Sequence, residues 1–167
     1  MSTIPTIETQ RLILRPPRSE DFPAYRDMVG SPRAVFMGGP FDGWAAWGMF
    51  CHEIAMWTMF GHGGLMIDLR DSGVCVGVVE INDGPLFPEK ELGWMLYEGH
   101  EGHGFATEAA SAVRDWGFRT LKLPTLVSYV DPQNHRSKAV AMRLGGMLDD
   151  VAPRQDPADL VFRYPAP

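Results

Sequence analysis

Gly102 and Gly104 stand one residue apart, just ahead of an amphipathic run, within Glu101-Gly102-His103-Gly104-Phe105-Ala106-Thr107. A turn of this kind leaves backbone N–H groups without intrahelical acceptors at a helix start, where the helix dipole also attracts anions. The amides of Gly102, His103, Gly104, Phe105, Ala106 and Thr107 can thus seat a phosphate-bearing ligand. Lack of a Cβ at 102 and 104 permits close approach and positive φ. The plainer reading is an ordinary turn, since such nests recur in many folds. A second segment, Asp131-Pro132-Gln133-Asn134-His135-Arg136-Ser137, reads as a turn opening a helix. There Asn134 can act as an N-cap and Ser137 as a first-turn hydroxyl. The pair His100 and His103 lacks the i, i+4 spacing that puts two imidazoles on one ion, so no metal is expected.

The elements that must hold these segments follow from periodicity. Arg11–Arg15 alternates as a strand, and Ser19 can cap a helix through about Val29. Gly30 to Pro40 is rich in proline and glycine and reads as a loop. Trp44, Trp47, Cys51, Ile54 and Trp57 recur at threes and fours, predicting a helix to about Phe60. That stripe is read first as core packing, with an acceptor-pocket wall or a homodimer surface as alternatives. Leu65–Leu69 and Val74–Asn82 form a hairpin around Asp71-Ser72-Gly73, and Glu89–Tyr97 is the next strand. A helix from Gly104 to about Arg119 buries Phe105, Ala109, Ala112, Val113 and Trp116. Strand Thr125–Val130, a helix to Leu144 stopped by Gly145-Gly146, and strands Met147–Val151 and Leu160–Tyr164 complete the chain.

The order strand, glycine nest, helix, strand, Asp-Pro-x-Asn-x-x-Ser, helix, Leu-Gly resembles the GNAT superfamily of acyl-CoA-dependent N-acetyltransferases. It looks closest to the branch containing the RimJ and RimL ribosomal-protein acetyltransferases. Glu8 to Pro16, Gly77 to Ile81 and Glu91 to Leu96 resemble that branch's first, third and fourth strands. The two most specific matches are Gly104–Ala109 and Val130–Ser137. The resemblance implies one α+β domain over residues 1–167, with a mixed, mostly antiparallel sheet of seven strands and about four helices. The sheet splays between the fourth and fifth strands, and acetyl-CoA, the implied co-substrate, wedges into the gap. Met95, Leu96 and Tyr97, the nest from Gly102 to Thr107, Asn134 and Ser137 are the implied contacts. Two departures stand out: Glu101 opens the nest where the family carries Gln, Arg or a large residue, and Gly145-Gly146 replaces the usual Gly-Phe. A carboxylate beside a pyrophosphate weakens binding unless it points away.

Acyl transfer to an amine needs a base, an oxyanion donor and help for the departing thiolate. Glu91 and Glu80 are the candidate bases, each on a predicted central strand where a carboxylate is costly to bury without a role. A solvated sheet edge is the plain alternative for each. A backbone N–H on the splayed strand can serve the oxyanion. Ser137 matches the family position near the thiol, and Asn134 the one that meets the pantetheine arm. The acceptor is a primary amine, a protein N-terminus or a small molecule. A non-catalytic acyl-CoA sensor or scaffold is the alternative, and a dinucleotide-binding domain is disfavoured because no Gly-x-Gly-x-x-Gly follows a first strand.

At 167 residues, 45% hydrophobic and 22% charged, the chain has the make-up of one soluble globular domain. A net charge of −6 argues against a general nucleic-acid binder and suits a cationic substrate. Cys51 and Cys75 read as small buried residues of a reducing compartment. No secretory signal is visible, and the longest apolar stretch, Trp44 to Cys51, is far below the roughly 20 residues that span a bilayer. A cytoplasmic protein with no membrane partner is expected.

Overall fold

A computed structural model describes residues 3–167. Among them eight strands form a single sheet: β1 (Ile7–Glu8), β2 (Leu12–Arg15), β3 (Gly64–Leu69), β4 (Cys75–Asn82), β5 (Glu91–Leu96), β6 (Thr125–Val130), β7 (Met147–Leu148) and β8 (Leu160–Pro165). Their spatial order is β1-β2-β3-β4-β5-β6-β8-β7. Every neighbouring pair is antiparallel except β5 with β6, which is parallel and paired only at Glu91 against Val127. Beyond that residue the two strands part. The four α-helices are α1 (Phe22–Val29), α2 (Gly43–Phe60), α3 (Phe105–Thr120) and α4 (His135–Arg143).

Helices cover both faces of the sheet, so its strands carry apolar residues on both sides. Leu12, Leu14, Leu65, Ile67, Val79, Ile81, Leu92 and Leu126 pack with Ala109, Ala110 and Val113 of α3 and Ala141 of α4. Met66, Val78, Met95 and Tyr97 pack on the other face with Tyr25 and Val29 of α1 and Ala46 and Phe50 of α2. On β4, Val79 and Ile81 therefore face α3, and the alternation of a strand turns Val78, Glu80 and Asn82 toward α2. Arg15 fixes the start of α1 by bridging Asp21 at 2.8 Å and Asp68 at 2.5 Å. Asp42 caps α2 by accepting from the Ala45 amide, and Gly61, at φ +76°, ends it.

The structure departs from the sequence-based expectation in five places. The sheet has eight strands rather than seven, because Ile7 and Glu8 add a short edge opposite Leu14 and Ile13. The strand expected over 147–151 closes after Leu148. The 30–40 loop holds a 3-10 turn over Pro32–Met37, and the first helix is shortened to Phe22–Val29 behind another such turn, with proline in its opening turn. Most consequentially, α2 presents a different face from the predicted stripe. Ala46, Phe50, Glu53 and Met56 are buried, whereas Trp44 is 86% exposed and Trp47 and Ile54 are only partly covered. Apolar residues run all round this helix, so spacing alone did not choose a face.

Candidate active site

The parting of β5 and β6 opens a cleft of about 2310 Å³. Ordinary small-molecule pockets run to roughly 300–1,000 Å³, so this one has room for a long co-substrate and an acceptor together. One edge of β5 lines it without a strand partner. Tyr97 donates its N–H to Val76 O on the β4 side at 2.8 Å, so by alternation Met95 also turns its backbone groups to β4. Trp94 and Leu96 turn theirs to the gap, where Leu96 O accepts from Arg33 at 3.0 Å. Of the three strand residues expected at the cofactor, Leu96 offers its backbone. Met95 packs with α1 and α2 and also lines the cleft, whereas Tyr97 is buried with those helices and does not line it.

At the inner end of the cleft three carboxylates converge on the α2 face of the sheet. Glu80 on β4 lies between Gly64 of β3 and Gly93 of β5 in the strand register. Glu91 pairs with Asn82 one step along, and the Asn82 amide donates to Glu91 Oε2 at 3.0 Å. Glu53 descends from α2, its Oε1 accepting from the Tyr25 hydroxyl at 3.1 Å. The two glycines make the room: a Cβ at 93 would lie 2.5 Å from Glu80 Oε1, and one at 64 would overlap Glu53 Oε2. Burial lifts the Glu91 carboxyl to about 7, against the Asn82 hydrogen bond that favours its charged form. Burial likewise lifts Glu53 to about 7. Glu80 rises well above the ordinary carboxylate range, first through burial and then through the like charges of Glu53 and Glu91. Burial thus holds all three above the ordinary carboxylate range, as suits a proton acceptor for an ammonium.

At the outer end, Gly102 and Gly104 have φ of +80° and +81°, and Gly104 is the N-cap residue of α3. Among the described residues the amides from Gly102 through Thr107 find no acceptor, and the first bond into the helix is Glu108 N to Gly104 O. The space a Cβ would take at 102 is open, so positive φ is what calls for glycine there. Two carboxylates flank this nest, and both are turned aside. Glu101 pairs with Arg33, accepts from the Gly99 amide at 3.0 Å and lies 3.6 Å from Arg136. Glu108 is clasped by Arg11 at 2.7 Å and by the Thr9 hydroxyl, also at 2.7 Å. With both charges neutralised, the free amides present a net positive end.

Asn134 caps α4, its Oδ1 accepting from Ser137 N at 3.2 Å, and both side chains line the cleft from the β6 side. His103 is exposed and gives its carbonyl to Arg11, while Phe105 lies under the Arg11 guanidinium at 4.8 Å. The cleft thus gathers Glu80, Glu91, Met95, Leu96, the nest apart from His103, Asn134 and Ser137. Sequence reasoning missed Glu53. The signal was a lone carboxylate at the i+7 position from Ala46 and the i+3 position from Phe50, hidden because the wrong face of α2 was taken as buried. It also missed Arg33 and Arg136, which answer the charge of Glu101.

Residues 11–147 match the family model described as "Acetyltransferase (GNAT) domain". The chain belongs to the GNAT family of acetyl-CoA-dependent N-acetyltransferases. An acetyltransferase from Agrobacterium tumefaciens is similar over nearly its whole length, with 63% identity, 98% of this chain and 96% of that one covered, and a TM-score of 0.95. The fold is also that of RimL, the ribosomal L7/L12 α-N-protein acetyltransferase, solved with coenzyme A, at 18% identity, TM-score 0.75 and coverage of 96% and 98%. A Bacillus subtilis relative, the uncharacterized N-acetyltransferase YnaD, is 31% identical over 68 residues, and the match spans 38% of this chain and 40% of that protein. As a GNAT chain, the protein places the family's splayed strands, glycine nest and Asn-x-x-Ser turn around one cleft. No helix among the described residues is long and apolar enough to cross a membrane.

Proposed function

We propose that the protein transfers the acetyl group of acetyl-CoA to a primary amine by direct attack in a ternary complex. One observation carries this reading: a single cleft joins unbonded amides at a helix N-terminus to a cluster of buried carboxylates, along a free strand edge. Acetyl-CoA would supply the activated acyl thioester, its pyrophosphate on the amides of Gly102 through Thr107. Leu96 O and the Asn134 side chain, both lining the cleft, would meet the pantetheine arm, the former once Arg33 yields.

The acceptor approaches from the α2 side. Glu91, with Glu80 beside it, takes a proton from the ammonium, directly or through water. The freed nitrogen forms its bond to the acyl carbon and the carbon–sulfur bond breaks. An N–H of the gap-facing β5 residues, Trp94 or Leu96, is the donor for the oxyanion. Ser137 is the candidate donor to the departing thiolate, with water as the alternative source of its proton. RimL acts on the N-terminus of a ribosomal protein, and a protein N-terminus and a small amine are both acceptors that this cleft could admit. Free Cys51 and Cys75 suit a reducing, cytoplasmic setting. A panel of amines with acetyl-CoA, read by thiol release and by the mass of the product, tests the proposal. Acetylation of at least one amine supports it, whereas coenzyme A binding with no turnover on any member would favour an acyl-CoA sensor.

A further inference from the structure

Removing a proton from an amine takes one carboxylate, yet the acceptor end of the cleft holds three. Glu53 is the most deeply placed, at 6% exposure, and its Oε2 has no hydrogen-bond donor. Among the described residues its only polar partner is the Tyr25 hydroxyl on Oε1. Glu80 Oε2 is likewise buried and unpartnered. Elsewhere most partly buried acids are answered with cations: Asp21 and Asp68 with Arg15, Asp83 with Lys90, Glu89 and Asp149 with Arg163, Glu101 with Arg33, and Glu108 with Arg11, Asp131 and Asp159 being exceptions. Among the described residues no Lys or Arg pairs with Glu53, Glu80 or Glu91. An acidic group left buried without a cation is costly, and room for these ones is kept by Gly64 and Gly93.

Charge is also sorted along the cleft. Arg33 and Arg136 sit beside the nest, while Asp156 and Asp159 extend the acidic end from the loop before β8. We propose that the acceptor is a small amine bearing at least two positive charges, of the linear α,ω-diamine class, and that Glu53 holds the ammonium that does not react. This rests on the acetyl-transfer reading for the reacting end only. A monoamine gives its proton to one carboxylate and leaves the others without a cation. A second ammonium three or four carbons away supplies one, with the cleft-lining Glu53 carboxylate as its acceptor once Oε2 turns from its place against Gly64, and Tyr25 holding Oε1.

The test compares 1,4-diaminobutane with n-butylamine, first as equilibrium binding to the protein saturated with coenzyme A, then as turnover with acetyl-CoA. The expected preference for the diamine is roughly 10- to 100-fold in Kd, the worth of one charge-assisted contact. Glu53→Gln, whose amide oxygen can still accept from Tyr25, should bring the ratio close to one, and Glu53→Asp should restore part of it. Equal binding of the two amines to the unmodified protein, or a preference that survives Glu53→Gln in a folded protein, overturns the inference. A strong diamine preference in binding with no amine acetylated supports the cation site and overturns acetyl transfer. Acetylation of both amines with equal kcat/KM and equal Kd does the reverse.

Discussion

Glu80 stands opposite Gly93 in the register of β4 and β5, and its Oε1 occupies space that a side chain at 93 would need. The glycine therefore acts as a seat for a carboxylate in the middle of the sheet. Gly93→Ala should displace Glu80 and disturb the carboxylate cluster. We expect a loss of about 1–3 kcal/mol in stability from overpacking, measured by chemical denaturation. Turnover should fall by roughly tenfold or more, with coenzyme A affinity unchanged, because the side-chain face of residue 93 is not the strand edge that meets the co-substrate.

Glu53 couples the site to stability. Burial raises its carboxyl from 4.5 to about 7, so between those values the folded protein holds a proton that the unfolded chain has released. The favourable contribution is complete below about 4.5 and is lost as pH climbs through about 7. Glu53→Gln removes that loss. The variant should be more stable than the unmodified protein by about 2 kcal/mol at pH 8, and close to it at pH 4. Urea unfolding at the two pH values checks this, and a variant less stable at pH 8 would argue that the site holds the ionised carboxylate without strain.

Gly104, at φ +81°, combines an N-cap role with a conformation that β-branched residues avoid. Gly104→Val should cost about 1–2 kcal/mol and remove coenzyme A binding by re-aiming the amides of the nest. Titration calorimetry on the folded variant reads the second effect, and unchanged affinity would take the pyrophosphate off these amides.

Arg33 holds the Glu101 carboxylate away from the nest. Arg33→Ala should release that charge beside the pyrophosphate and weaken coenzyme A binding by roughly fivefold or more. Adding Glu101→Gln to the same protein should recover most of the loss. A double variant as weak as the single one would mean that Arg33 contacts the co-substrate itself.

The nest, the Asn-x-x-Ser turn and the strands beside them were legible because glycine placement, helix capping and period-two runs are local signals. Glu80 and Glu91 stood out as carboxylates inside apolar strands. Glu53 did not, because α2 is apolar on every side and only packing against β3 and β4 decides which stripe turns inward. The same holds for the answer to Glu101: residues 68 and 35 positions away in sequence, Arg33 and Arg136, meet it only through the fold. Alternation along β5, which separates Leu96 from Met95 and Tyr97, needed the partner strand to set its phase.

The central claim is that a raised carboxylate at Glu91 accepts the proton of the attacking amine. The pH profile of kcat/KM tests it most directly, using an acceptor whose ammonium group titrates above about 9. With Glu91 lifted to about 7, kcat/KM should rise about tenfold per pH unit below 7 and level above it. Glu91→Gln should lower turnover by roughly 10²–10⁴-fold and move the rise up to the titration of the acceptor itself. A profile flat from pH 6 to 8, or a Glu91→Gln variant with the same rate and the same profile, would contradict the account.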